Sequence, residues 1–128
     1  MKLNPDCIRD ILLYVESNTD LKNMVCLSPA DIPDELSAYA PNEIMYHIKQ
    51  CELSGLFGEK VSWYISGNCM IRYLSPSGHK FLSDIRSENA WSKTKQIACD
   101  IGANSIDTIK QIAAGVITSL IQSRLNLP

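Results

Sequence analysis

Apolar residues near the start of the chain recur at the spacing of one helix face. The stripe follows an i, i+3, i+4, i+7 pattern and consists of Ile8, Ile11, Leu12 and Val15. Asn4 can accept a hydrogen bond as the N-cap, and Pro5 suits the first helical position. The pattern stops at Asn18-Thr19-Asp20. The sequence therefore predicts a first helix that begins at Pro5 and ends near Asn18.

A short strand and two further helices are predicted before residue 55. Residues 24–27 form a brief apolar run typical of an edge strand, and residues 32–39 predict a short second helix. Pro41 opens a third helix in the same way as Pro5, and Gly55 provides the turn that ends it. The inward face of the third helix is predicted to consist of Ile44, Ile48 and Cys51.

A β-hairpin is predicted next, because two runs rich in β-branched and aromatic residues, 60–66 and 69–74, flank Gly67-Asn68. Glycine at the first position of a two-residue loop is typical of a type II′ turn. Pairing about that turn sets Trp63 opposite Arg72, where the guanidinium would form a cation–π contact with the indole.

Three more helices are predicted after the hairpin. The first starts at Ser75-Pro76, the second covers residues 91–101 and stops at Gly102, and the third runs from a Ser105 cap to about Leu125. The apolar stripe of the last helix consists of Ile106, Ile109, Ala113, Val116 and Leu120. Such a stripe packs within its own domain or forms a dimer contact through Ile109, Val116 and Leu120.

Composition and charge narrow the class of protein. The 128 residues are 45% hydrophobic and 20% charged, which excludes a disordered chain. Lys and Arg number 12 against 14 Asp and Glu, so the chain is not a polycation built to coat nucleic acid. The five cysteines include no C-x-x-C pair, which argues against a zinc ribbon or a thioredoxin-like site. No signal peptide or membrane-spanning run is evident, and we expect a cytoplasmic protein with no membrane partner.

The order of the elements predicts the fold. Helix, short strand, two helices and a hairpin follow one another as in a winged helix-turn-helix, in which the third helix reads the major groove. The predicted class is therefore mainly α (α+β), a winged helix-turn-helix with a hairpin wing and additional C-terminal helices. We expect a winged-helix-like domain over residues 1–86. Residues 87–128 form a helical extension that packs on it or mediates dimerisation.

Several segments resemble one known family. They are residues 1–13 (MKLNPDCIRDILL), Tyr46-His47, Gly78-His79-Lys80-Phe81-Leu82 with Ile85-Arg86, and Trp91-Ser92-Lys93-Thr94-Lys95. Together they resemble the family called domain of unknown function 2513, short proteins of bacteria and their phages and prophages. The resemblance covers nearly the whole chain and implies a winged-helix-like fold. It implies no reaction, cofactor or ligand.

Candidate DNA contacts lie off the predicted buried stripe of the third helix. We expect Asn42, Tyr46, Lys49 and Gln50 to face the groove, because amide and amine side chains can pair with base edges. Lys60 and Arg72 would contact phosphates from the hairpin. The charges across this region cancel, since Lys49, Lys60 and Arg72 are opposed by Glu43, Glu52 and Glu59. This balance keeps open the alternative of a protein-interaction or oligomerisation module.

Enzymatic chemistry is not indicated by the sequence. His47 and His79 are far apart and share no metal-ligand spacing with a cysteine or carboxylate. His47 is expected off the buried stripe, within reach of Cys51 one turn on, but Cys51 occupies a core position. We therefore expect no enzyme, no cofactor and no metal. The partners left open are duplex DNA, a second copy bound through the last helix, and a host protein.

Overall fold

The computed structural model describes residues 1–125, so the last three residues of the predicted extension, 126–128, lie outside the described residues. Within that range the chain is mainly helical with one small antiparallel sheet, which confirms the α+β class. The elements are α1 (Pro5–Asn18), β1 (Val25–Leu27), a 3₁₀ turn (Asp34–Leu36), α2 (Pro41–Leu53), β2 (Ser62–Trp63), β3 (Cys69–Ile71), α3 (Pro76–Ile85), α4 (Glu88–Ile101) and α5 (Ile106–Leu125).

The chain divides into two compact units. Unit 1 comprises Met1 and Leu3–His79, and unit 2 comprises Lys2 and the residues from Lys80 onward. The boundary between the two units therefore follows residue 79, inside α3. The domain boundary predicted at residue 86 stays a prediction.

Helix α1 forms as its sequence predicts. The Asn4 side chain caps it by accepting a hydrogen bond from the Asp6 N–H at 3.1 Å, and Pro5 occupies the first turn. The predicted stripe is buried in unit 1, with Ile11, Leu12 and Val15 fully inaccessible. The N-cap and the helical spacing of the buried residues are thus both as the sequence predicts.

The predicted second helix over residues 32–39 is wrong, since only the 3₁₀ turn Asp34–Leu36 forms there. Prolines close the segment at both ends. Pro33 precedes the turn without a side-chain cap, and Pro41 disfavours helical geometry at Ala40. The segment between the prolines is too short for its hydrogen bonds to offset the free-energy cost of helix nucleation.

The sheet has the order β1-β3-β2, so β1 is an edge strand as predicted. The predicted hairpin register is wrong, because Trp63 pairs with Cys69 and not with Arg72. The Tyr64 N–H donates to the Asn68 carbonyl at 3.0 Å, and the Gly67 N–H donates to the Tyr64 carbonyl at 2.9 Å. The loop therefore holds three residues, with Gly67 third in the left-handed conformation at φ 88°.

Unit 2 contains the helical hairpin α4–α5. Ser87 caps α4, which begins at Glu88 instead of the predicted residue 91, and Gly102 ends it in the left-handed conformation at φ 68°. Ser105 precedes α5, and its hydroxyl accepts from the Thr108 N–H at 3.2 Å. The residues of α5 that are buried are Ile106, Ile109, Ala113 and Val116.

Two glycines give a matched test of packing. A Cβ at the buried Gly78 would overlap the Leu56 carbonyl oxygen, whereas a Cβ at Gly115 in α5 meets nothing within 4 Å. We expect Gly78→Ala to destabilise the protein by about 1–3 kcal/mol, because the backbone there must move. Gly115→Ala should stabilise it by about 0.5–1 kcal/mol through lower unfolded-state entropy. Urea unfolding measures both values, and equal effects would contradict the packing described here.

Candidate macromolecule-binding surface

One outward face of α2 carries four of the residues predicted from the sequence. Asn42 and Lys49 are exposed and Tyr46 and Gln50 are half-buried. The opposite face is formed by Ile44, Ile48 and Cys51, which are fully buried. Helical periodicity therefore brings the four predicted groove-facing side chains onto a single stripe.

Lys49 is held in place by its neighbours. Its ammonium lies 3.0 Å from Oε1 of Glu52, one turn along α2. The same ammonium lies 5.6 Å from the centroid of the Trp63 ring. The cation–π contact at Trp63 thus involves Lys49, because the hairpin register removes Arg72 from the position opposite this ring.

Glu52 joins α2 to β2. Its Oε2 accepts from the Val61 N–H at 2.7 Å, and its Oε1 accepts from the Trp63 indole N–H at 3.1 Å. Burial alone would raise the pKa of this carboxyl. The hydrogen bonds from Lys49, Trp63 and Val61, together with the Lys49 charge, outweigh burial and hold the pKa below the ordinary 4.5.

The remaining predicted phosphate contacts lie on the hairpin side of unit 1. Arg72 Nε lies 3.0 Å from Glu59 Oε2, so its charge is paired on the protein surface. Lys60 is exposed in the segment before β2. Two of the three candidate cations, Lys49 and Arg72, are therefore ion-paired with glutamates of the same unit.

The charge of the chain is unevenly divided. Unit 1 carries 5 Lys and Arg against 10 Asp and Glu, a formal charge of −5. Unit 2 carries 7 against 4, a formal charge of +3. The near-neutral total conceals an acidic unit 1, and sequence analysis missed this because it summed the charge over the whole chain.

A groove of about 440 Å³ runs beside the C-terminal end of α2. Its lining consists of Lys49, Glu52, Leu53, Phe57, Gly58, Glu59 and Lys60. Large apolar side chains are exposed at the end of α2 and on the β2–β3 hairpin: Leu53 is 69% accessible, Trp63 36%, Tyr64 52% and Ile65 109%. We call these four residues the apolar ridge. Sequence analysis missed the ridge, although a Trp-Tyr-Ile run at a hairpin turn was the signal that could have revealed it.

His47 is fully buried, which contradicts its predicted place off the buried stripe. Its Nε2 accepts from the Asn4 backbone N–H at 2.8 Å, and its Nδ1 lies 2.7 Å from the Glu43 carbonyl oxygen. Both ring nitrogens are therefore occupied by backbone groups. The physical reason for the burial is that the start of α1 needs an acceptor that α1 itself does not supply.

The predicted dimer residues of α5 differ in accessibility. Ile109 is 2% and Val116 7% exposed within unit 2, and Leu120 is half-buried. A mostly apolar groove of about 450 Å³ lies between α4 and α5, and its lining includes Ile97, Ile112, Gly115, Val116 and Leu120. Farther along α5, Ile121 and Leu125 are 51% and 77% exposed.

The three buried cysteines, Cys7, Cys51 and Cys69, do not provide a reactive thiolate. Burial raises the pKa of Cys7 to about 12 and that of Cys69 to about 11, and it also raises the pKa of Cys51. These thiols stay protonated at neutral pH. Among residues 1–125, no three His, Cys, Asp or Glu side chains are grouped closely enough to hold a metal ion. Over the same residues, no helix combines the length and apolarity needed to cross a bilayer.

Taken together, the features above define a small α+β protein with an acidic sheet-containing unit and a helical-hairpin unit. Its sequence matches the family described as "Hypothetical protein (DUF2513)" over residues 2–104, and the chain belongs to that family. It is similar to a Haemophilus influenzae protein named "Uncharacterized protein", with 31% identity over 125 residues that cover 94% of this chain and 99% of the relative. No solved structure matches the chain.

Glu52 gives a test of the link between α2 and the hairpin. We expect Glu52→Ala to lower the free energy of unfolding by about 1–3 kcal/mol, because the buried Val61 N–H loses its acceptor. The Trp63 emission should shift to the red. Since the folded pKa of Glu52 is lowered, its ionic contribution is complete above pH 4.5 and is lost as the pH falls through the folded value. Wild type should therefore show an acid destabilisation that Glu52→Gln lacks.

Glu59→Ala is the control for that experiment. Glu59 is half exposed in its pair with Arg72, so we expect a loss of only about 0–1 kcal/mol. Urea unfolding followed by fluorescence measures both variants. Equal losses in Glu52→Ala and Glu59→Ala would show that Glu52 does not anchor the hairpin.

Proposed function

We propose that unit 1 is a winged-helix module that binds another protein through the apolar ridge and the groove beside α2, without enzymatic activity. The order α1, β1, 3₁₀ turn, α2, β2, β3 and the sheet order β1-β3-β2 support a winged helix whose second helix is reduced to one turn. In this comparison α2 stands where the recognition helix stands, and the β2–β3 hairpin stands where the wing stands.

The observation that carries this proposal is the chemistry of the apolar ridge. Trp63, Tyr64 and Ile65 are consecutive and exposed, and Leu53 lines the adjacent groove. Aromatic residues are enriched at the centres of protein interfaces, and grouped exposed apolar side chains mark interaction sites. The ion pairs Lys49–Glu52 and Arg72–Glu59 leave a polar rim with little net charge.

Electrostatics favour a protein partner over DNA at this surface. A specific DNA-binding protein typically neutralises roughly six to ten phosphates. Unit 1 has a formal charge of −5, and its Lys49 and Arg72 are engaged with glutamates. A phosphate backbone would have to displace both carboxylates and approach an acidic unit. A partner with apolar side chains and basic rim groups has no such penalty.

Photo-crosslinking tests the proposal at single-residue resolution. With a photoreactive amino acid replacing Ile65 in the full chain, we expect a discrete protein adduct after irradiation of cells that produce it. The control is the same replacement at Leu21, which is 78% exposed in the same unit and lies outside the apolar ridge. Leu53→Glu should abolish the Ile65 adduct. Equal adducts from positions 65 and 21, or an Ile65 adduct unaffected by Leu53→Glu, would contradict the proposal.

Sequence-specific DNA binding is the second candidate function. The observation that favours it is the single stripe of Asn42, Tyr46, Lys49 and Gln50 on α2, since Asn and Gln amides can pair bidentately with adenine. In this candidate the chain is a transcriptional regulator of phage or prophage type, with Lys60 and Arg72 reaching phosphates. Displacement of Arg72 from Glu59 would be part of binding.

Fluorescence anisotropy against random-sequence duplex DNA separates the two candidates. For a protein-binding module we expect no binding even at low salt, because phosphate contacts dominate non-specific affinity. Binding that weakens steeply with salt would instead support the second candidate. In that case Lys49→Ala combined with Gln50→Ala should abolish binding to the specific site while the unfolding curve stays unchanged. Unchanged specific affinity in that double variant would exclude α2 as the reading helix.

Self-association through α5 stays a prediction and forms part of the proposal on partners. The burial of Ile109 and Val116 means that a second copy would contact mainly Leu120 and the exposed Ile121 and Leu125. A host protein is the other partner that the apolar ridge could accept, and the crosslink at position 65 distinguishes a self-adduct from a foreign one by its mass.

A further inference from the structure

The hydrogen bonds around His47 define its protonation state. The Asn4 backbone N–H can only donate, so Nε2 at 2.8 Å must be the bare nitrogen that accepts. The Glu43 carbonyl oxygen can only accept, so Nδ1 at 2.7 Å must carry the proton. His47 is therefore the neutral Nδ1–H tautomer, fixed from both sides inside unit 1.

The bond to Asn4 connects two helices. Asn4 is the N-cap of α1, where its Oδ1 accepts from the Asp6 N–H at 3.1 Å. Its Nδ2 donates to Oε2 of Glu43 on α2 at 3.3 Å. The start of α1 is thus attached to α2 by a backbone bond to His47 and a side-chain bond to Glu43. Helix α2 also carries the candidate binding surface.

We propose that His47 is a pH-sensitive latch that fastens the start of α1 to α2. Protonation at Nε2 converts the acceptor into a donor that points at the Asn4 N–H, and two donors at 2.8 Å repel each other. Rotating the ring offers no escape, because both nitrogens of an imidazolium are donors. The Asn4 N–H must then leave its place, and the first turn of α1 loosens from α2.

The two helices that meet at His47 carry other titratable groups. Among them are Glu43, Tyr46 and Cys51 on α2, and Asp6, Cys7 and Asp10 on α1. The Tyr46 ring meets the imidazole edge-on with centroids 5.5 Å apart. The two thiols are kept neutral by burial, which raises the pKa of each. The Glu43 carboxylate is bonded to the Asn4 side chain, so its position depends on the same latch.

Nuclear magnetic resonance on the full chain tests the latch. His79 is exposed, so a His79→Gln background leaves His47 as the single histidine. At about pH 7.5 we expect the nitrogen shifts of the Nδ1–H tautomer and a protected Asn4 amide. Between about pH 7.5 and pH 5, the exchange rate of the Asn4 amide, corrected for its intrinsic pH dependence, should rise by up to about tenfold per pH unit as one proton is taken up.

His47→Gln is the matched variant, because its amide oxygen can accept the Asn4 N–H at every pH in this range. We expect its corrected Asn4 exchange to be independent of pH. An Nε2–H tautomer in the parent protein, or Asn4 protection that is unchanged down to pH 5, would overturn the proposal. Should the glutamine variant fail to fold, the tautomer and the exchange profile of the parent decide the question alone. The latch does not depend on the proposed function, since neither readout involves a partner.

Discussion

The position of the exposed hairpin depends on one carboxylate, that of Glu52. Its two oxygens accept from the backbone of Val61, from the Trp63 indole and from the Lys49 ammonium. Strand β2 is only two residues long and pairs with β3, which in turn pairs with β1. Glu52 adds a second attachment of β2, to α2. Through these bonds α2 is attached to the hairpin at Val61 and Trp63.

The elements that sequence analysis placed correctly are those whose signals are local. Caps and prolines at Asn4, Pro41 and Ser75 lie within one turn of the helices they start, so the chain shows them directly. The hairpin register failed because Gly67 suits two loops, one with Gly67 first and one with Gly67 third. The choice depends on the bond between the Tyr64 N–H and the Asn68 carbonyl, which composition does not encode.

The candidate site shows the same division between local and tertiary information. Periodicity placed Asn42, Tyr46, Lys49 and Gln50 on one face of α2, and the structure agrees. It could not show that Arg72 is paired with Glu59, because the two residues lie on opposite sides of the hairpin turn in the sequence. Nor could it show the burial of His47, whose Nε2 accepts from a backbone N–H that has no partner within its own helix. The burial of a side chain that bonds to a distant backbone group cannot be predicted from the hydrophobic pattern of its own helix or strand.

The uneven charge of the two units decides how the total should be interpreted. Electrostatic interactions between exposed charges at physiological salt fade over about 8 Å, so a molecule near the outward face of α2 responds mainly to the charges on that face and not to the sum of −2. Lys49 on that face and Arg72 on the hairpin side are paired with Glu52 and Glu59, within a unit whose formal charge is −5. Under the proposed function, the exposed side chains of Trp63, Tyr64 and Ile65 on the hairpin are the anchors for a protein partner. Rigid anchors lose little conformational entropy on binding, so their burial contributes more fully to affinity.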